Sequence, residues 1–213
     1  MEIGEYLAGR PVLAPGASPG LLVPDLPPAD LVDLFLRRLS SVGGMGHGPL
    51  AGLAATERVV SLFVEGGVEE YLGWDYSGLG DVHQALAAAG LRRAGAWVPE
   101  ADRTRGIHQQ SYLPLAGGLT GADAGLAESG SLVLRSGPGR PRFASLIPSL
   151  HVAVLSVDRL VRSLAHYAAQ HPAAPEGVSN LVVITGPSRT GDIEQELTLG
   201  VHGPKHLHVV LVN

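Results

Sequence analysis

The chain has 213 residues, 45% hydrophobic and only 16% charged, with a formal net charge of −5. Lys205 is the lone lysine, and the longest basic runs are Arg37-Arg38 and Arg92-Arg93, which is no electrostatic footprint for a nucleic acid. There is no cysteine, so disulfides, thiolate nucleophiles and cysteine-held iron–sulfur clusters are excluded for this chain.

The N-terminus is acidic before its first arginine and has no long apolar stretch, so it does not read as a secretory signal. No window reaches the ~18 apolar residues of a membrane helix. A cytoplasmic, soluble protein is expected. Residues 11–28, "PVLAPGASPGLLVPDLPP", are rich in Pro and Gly, so residues 1–28 read as an extended arm and 29–213 as a single domain. Residues 29–42 carry Leu31, Leu34, Phe35 and Leu39 at helical spacing, with Asp30 and Asp33 early and Arg37-Arg38 late, an order that suits the helix dipole. "GGMGHG" (43–48) reads as a flexible break. Residues 50–64 and 79–89 are two more helices, the latter closed by Gly90.

The second half changes character. Short apolar runs occupy 130–136, 150–157, 180–185 and 207–212. They are continuous rather than alternating, as strands covered on both faces are. Between two of them, Asp158 caps a periodic stretch (Leu160, Val161, Leu164, Tyr167) that reads as a helix ending near His171-Pro172. The expected fold is α/β: a layered, mainly parallel sheet flanked by helices.

The polar chemistry concentrates in "VITGPSRTGDIEQELTLGVHGP" (183–204). In open α/β sheets ligands bind beyond the carboxyl ends of strands, and residues 186–192 follow such an end. Gly186 permits a tight turn and Pro187 stops the ladder. Ser188, Arg189 and Thr190 offer two hydroxyls and a planar guanidinium. A short helix starting near Gly191 or Asp192 would aim free N–H groups at the same place. The set suits a carboxylate or a phosphate. Asp192 stands where a P-loop needs lysine, so nucleotide hydrolysis is not expected. The plainer reading has Arg189 paired with Asp192.

His202, between glycines, is placed as a loop acid or base, or as a surface turn residue. His206 and His208 would share one strand face, but no Asp, Glu or Cys nearby completes a ligand set, so no metal site is expected. Upstream, "GADAGLAESGSLVL" (121–134) places Glu128 among small residues with Ser129 and Gly130. That carboxylate is a candidate catalytic group; alternatively it caps a helix or pairs with an arginine such as Arg189. The serine-hydrolase elbow fails at Ser129 and at Ser188, because Ala127 and Thr190 occupy glycine positions.

Taken in order, "GLAESGSLVL", "SLIPSLHVAVLSVDRLVRSL" and "ITGPSRTGDIEQELTLGVHGPKHLHVVLV" resemble the lactate-utilisation (LUD) domain family, in its LutC-like branch, from about residue 120 onward. Glu128, Gly130, Ser188, Arg189, Thr190, Asp192, Glu194, His202 and Gly203 match the family motif; Gly191 stands where Ala is usual, and Ser129 and Ser131 where Thr is usual. The resemblance implies a fold like that of CoA transferases and ribose-phosphate isomerase. It also implies a role in oxidising L-lactate to pyruvate beside two iron–sulfur partner proteins.

The resulting expectation is an accessory subunit with no cofactor of its own, the clusters residing in its partners. A small carboxylate, or a partner, would bind where the 126–131 segment meets the 186–192 loop: Arg189 clamping, Ser188 and Thr190 orienting, Gly186, Asp192, Ser129 and Gly130 lining, and Glu128 or His202 handling a proton. Two competing readings are a stand-alone transferase or isomerase acting on a CoA ester or sugar phosphate, and a non-catalytic scaffold. Carrying a glutamate's role over from CoA transferases would be fold-level analogy alone.

Overall fold

The computed structural model describes residues 26–75, 79–94, 116–174, 177–191, 197–199 and 203–213, with the side chains of 189–191 and 197–199 left out of the description. The elements in chain order are α1 (Pro28–Ser41), β1 (Met45–Leu50), α2 (Gly52–Glu65), β2 (Glu70–Gly73), α3 (Val82–Ala88), β3 (Arg92–Arg93), β4 (Gly117–Gly121), β5 (Ala124–Leu126), β6 (Ser131–Ser136), β7 (Leu150–Ser156), β8 (Leu160–Val161), α4 (Leu164–Gln170), β9 (Asn180–Ile184), β10 (Arg189–Gly191), β11 (Leu197–Leu199) and β12 (His206–Val212). Three-residue and four-residue 3-10 turns precede β8 and β7 respectively.

A six-stranded sheet in the order β1-β12-β7-β4-β2-β3 forms the centre, every neighbouring pair parallel. Its two faces are covered differently. Leu207, Val209 and Leu211 of β12, with Ala153 and Leu155 of β7, pack under Phe35 and Leu39 of α1 and under Leu132 and Leu134 of β6. The alternate residues Val210, Val212, Val152 and Val154 pack under Val59, Leu62 and Phe63 of α2 and Leu86 of α3. Both faces are therefore apolar, which is why these runs read as continuous.

Four of the remaining strands make a second sheet, β8-β5-β6-β9, in which β5–β6 and β6–β9 are antiparallel and β5–β8 is parallel, and β10 pairs with β11 alone. It stacks on the α1 side of the main sheet. Its outer face carries Tyr167 of α4 against Leu126 and Val133. Two of the four expected parallel strands, at 130–136 and 180–185, thus belong to this mixed sheet. A covered strand looks alike in either setting, since periodicity reports burial and not the partner's direction. The 180–185 run is not covered on both faces: β9 is an edge, and Val183 is 37% exposed.

Three local expectations also change. "GGMGHG" is no break: residues 45–50 form edge strand β1, because β12 needs a partner for its outer edge and Gly46 lets β1 lie directly against Leu36 of α1. Leu160 and Val161 are a strand, and the helix starts at Leu164, with Ser163 rather than Asp158 as its cap, its side chain accepting from the His166 N–H. No helix begins at Gly191. Residues 189–191 pair with 197–199 as an antiparallel hairpin, Thr190 opposite Thr198. Most of the 1–28 arm lies outside the described residues. No helix of the described residues is long and apolar enough to cross a membrane.

Candidate functional site

The two motif segments meet through backbone pairing. β6 and β9 run antiparallel with Leu132 opposite Ile184, so the turn before β6 lies beside the loop after β9. A chain of hydroxyls seals the junction: Ser129 Oγ to Ser131 Oγ at 2.7 Å, and Ser131 Oγ to Thr185 Oγ1 at 2.7 Å. The Gly130 N–H donates to the Leu126 carbonyl, and the Glu128 N–H donates to the Arg162 carbonyl, each at 2.9 Å. The carboxylate-bearing side chain of Glu128 is half-buried.

Both glycines of this junction press on the end of α1. Gly130 has φ +67, and a methyl on its Cα would overlap the Leu39 amide nitrogen. Gly186 has φ +82, and a methyl there would lie 2.5 Å from the Val42 carbonyl oxygen. Only glycine combines that φ with so close an approach. The next turn of the loop is tied to the strand β12 that follows: the Ser188 N–H donates to the Pro204 carbonyl at 2.8 Å, and Gly203 faces Ser188. Thus Glu128, Ser129, Gly130, Gly186 and Ser188 gather at one place. The backbone of Arg189 and Thr190 continues from it as β10, while Asp192, Glu194 and His202 lie outside the described residues.

The place differs from the expected one. Residues 203–204 directly precede β12, and the end of α1 directly precedes β1. The motif therefore sits at the amino ends of the main parallel strands, although it follows the carboxyl end of β9 in the smaller sheet.

Beyond the carboxyl ends of β2, β4, β7 and β12 lies a separate cleft of about 320 Å³. Trp74 and Val154 line it, together with Asp123, Arg140, Ser156, Asp158 and Arg159. Arg140 Nη1 donates to Asp123 Oδ1 at 2.9 Å and its guanidinium carbon stands 5.1 Å from the Trp74 ring centre. The other oxygen of Asp123 accepts the Arg135 N–H at 2.8 Å. Arg159 Nη1 donates to the Ala122 carbonyl at 3.1 Å. None of these groups belongs to the polar motif at 183–204 or to the candidate site at 126–131. Asp123 and Arg140 meet only through the fold, but "SVDR" directly after the 150–155 apolar run was a legible signal of polar groups at a strand end.

The histidines form a third cluster. His206 and His208 line a cavity of about 350 Å³ with Glu65 and Ser149. His208 Nδ1 is 2.9 Å from His47 Nε2, their rings nearly coplanar, and Arg58 Nε donates to His47 Nδ1 at 3.4 Å. Burial, and then the neighbouring His47 and Arg58, push His208 down to about 4. Burial and Arg58 lower His47 in the same direction. Among the described residues, no group of three or more His, Asp or Glu is arranged to hold a metal ion.

A central parallel sheet with helices on one face, and a small mixed sheet and α1 on the other, defines an α/β protein with its polar motif on the seam between the sheets. The LUD domain family model matches residues 51–212, and the chain belongs to that family. It is 38% identical over 122 residues to a "Lactate utilization protein C" of Exiguobacterium sp., covering 54% of this chain and 49% of that protein. A protein of the same description from Halalkalibacterium halodurans is 42% identical over 91 residues, covering 41% of this chain and 40% of its own. The chain spans about half the length of the curated relatives it matches. Among solved structures, a DUF162 family protein from Deinococcus radiodurans superposes with a TM-score of 0.63 at 18% identity, over 89% of this chain and all of that one. At that identity the likeness is one of fold.

Proposed function

We propose that this chain is an accessory protein of lactate utilisation, serving the oxidation of L-lactate to pyruvate together with two iron–sulfur partner proteins. The relatives described as lactate utilization protein C support the role. The absence of any cysteine supports placing the clusters in the partners, since this chain cannot hold them by thiolates.

The observation that carries the reading is the junction of the 126–131 turn with the 185–188 loop. Its hydroxyls are bonded to one another and its glycines lie directly against the end of α1, so the described part of the junction is closely packed. Glu128 and Ser188 lie at this junction, both partly exposed, and the backbone of β10 continues from it. The motif face is where the protein meets its partner, with Arg189 as the charged contact.

The test is growth on L-lactate and a lactate-to-dye electron assay, in cells lacking this chain and in cells carrying it back. Restoration by the wild type, and loss of restoration and of co-purification with the iron–sulfur proteins by Arg189→Ala, is the expected result. Normal growth on lactate without the chain refutes the role. Turnover of a CoA ester or sugar phosphate by the purified chain alone, abolished by Glu128→Gln, would favour the transferase or isomerase reading instead.

A further inference from the structure

The motif face leaves the carboxyl-end cleft without a use. We infer that this cleft binds a small monocarboxylic acid bearing an oxygen on the neighbouring carbon, with Arg159 as the carboxylate anchor. Its choice of 2-hydroxy and 2-oxo acids rests on the role proposed above; the anion site does not.

Position is the first argument. The cleft lies where the middle strands of the parallel sheet end, which is where open α/β sheets take their ligands. Gly121 and Ala122 at the end of β4 keep the floor low, so a ligand can approach the backbone.

Charge is the second. Of the two guanidiniums, Arg140 is already committed: Asp123 neutralises it and Trp74 lies beneath it. Asp123 is itself half of that pair, with a side chain only 13% exposed. Arg159 is different. It is held at the rim by one bond, from Nη1 to the Ala122 carbonyl, and among the described residues its other N–H groups have no protein partner. A guanidinium pinned by one nitrogen and open along the opposite edge matches a carboxylate in two-point fashion.

Selectivity is the third. Asp158 is next to Arg159 in the chain, lines the same cleft, and forms no ion pair among the described residues. One free cation beside one free carboxylate favours a monoanion over a phosphate dianion, and the carboxylate can accept from the hydroxyl of a 2-hydroxy acid. The Ser156 hydroxyl, also in the lining, serves a keto or hydroxyl oxygen. A volume of about 320 Å³ is at the small end for ligand sites and leaves room for bridging water.

The experiment is a titration of the full-length chain, followed by calorimetry and by the Trp74 indole resonance, with L-lactate, pyruvate, propionate and inorganic phosphate. Lactate and pyruvate bind and shift the Trp74 signal; propionate binds about fivefold more weakly for want of one hydrogen bond at its second carbon. Arg159→Gln weakens lactate about tenfold or more, Arg159→Lys restores it only in part, and Arg37→Gln on the exposed face of α1 has no effect. Arg159 is exposed, so its replacement leaves the fold intact. Three outcomes overturn the inference: no acid binds, phosphate binds more tightly than lactate, or Arg159→Gln binds like the wild type. No binding by the wild type, with growth on lactate still dependent on the chain, refutes the cleft alone. Binding retained with the chain dispensable for growth refutes the role alone.

Discussion

His151 makes the fold acid-labile by a calculable amount. It sits in β7, fully buried, with Nε2 2.8 Å from Thr120 Oγ1 of β4 and with no partner for Nδ1 among the described residues. Burial lowers its pKa from 6.5 to about 4. The folded state therefore holds the neutral ring, while the unfolded chain gains a proton as pH falls through 6.5. Stability from this group is complete above 6.5 and is lost progressively as pH drops toward 4. At ~1.4 kcal/mol per pH unit the full loss is roughly 3 kcal/mol, and by pH 5 it has reached about 2 kcal/mol.

Denaturant titrations at neutral pH and at pH 5 measure this directly. Other groups titrate in the same window, so the informative quantity is the difference between the wild type and His151→Gln, which keeps a polar partner for Thr120 and cannot ionise. The variant should lose about 2 kcal/mol less than the wild type over that interval. If both lose the same amount, His151 does not remain neutral and buried, and the packing of β7 against β4 around it is wrong.

Other tests follow from the junction and the cores. Gly130→Ala should cost about 3 kcal/mol or more, since backbone strain and a clash with α1 add, and Gly186→Ala should behave alike; a melting temperature equal to that of the wild type would contradict the packing. Leu39→Ala, which empties a position under both sheets, should cost about 2–5 kcal/mol by denaturant midpoint. Ser163→Ala should cost about 1 kcal/mol by removing the α4 cap. Ring-proton NMR should find His208 neutral well below pH 6, and His47→Gln should move its titration upward by removing one of the neighbours that depress it.

What could be read without coordinates follows from what each residue does. The runs at 150–157 and 207–212 declare themselves because both of their faces are apolar. The same argument fails for 130–136, whose residues are equally buried but whose partners β5 and β9 run the other way. β1 gives no apolar signal at all, because Gly46 and Gly48 have no side chains to pack; it is a strand through its backbone pairing with β12. Leu160 and Val161 keep a helical period with Leu164 by coincidence, and Ser163 breaks it. The convergence of 126–131 with 185–188 was legible as a family pattern but not as geometry, since it depends on which strands of the second sheet are neighbours.

The separation of the motif from the carboxyl-end cleft is itself a physical consequence of that second sheet. β6 and β9 lie over the face of the main sheet that α1 also covers, and their connections turn back toward the end of α1 at Gly130 and Gly186. That brings the polar motif to the amino ends of the parallel strands and keeps it away from the carboxyl ends. The carboxyl ends are then left to the short connections after β4 and β7, where Ala122–Asp123 and Asp158–Arg159 supply the polar groups. The proposed partner face and the proposed acid cleft lie at opposite ends of the main sheet, so the proposal lets both be occupied together. A partner bound at the first would leave the second open to exchange its ligand.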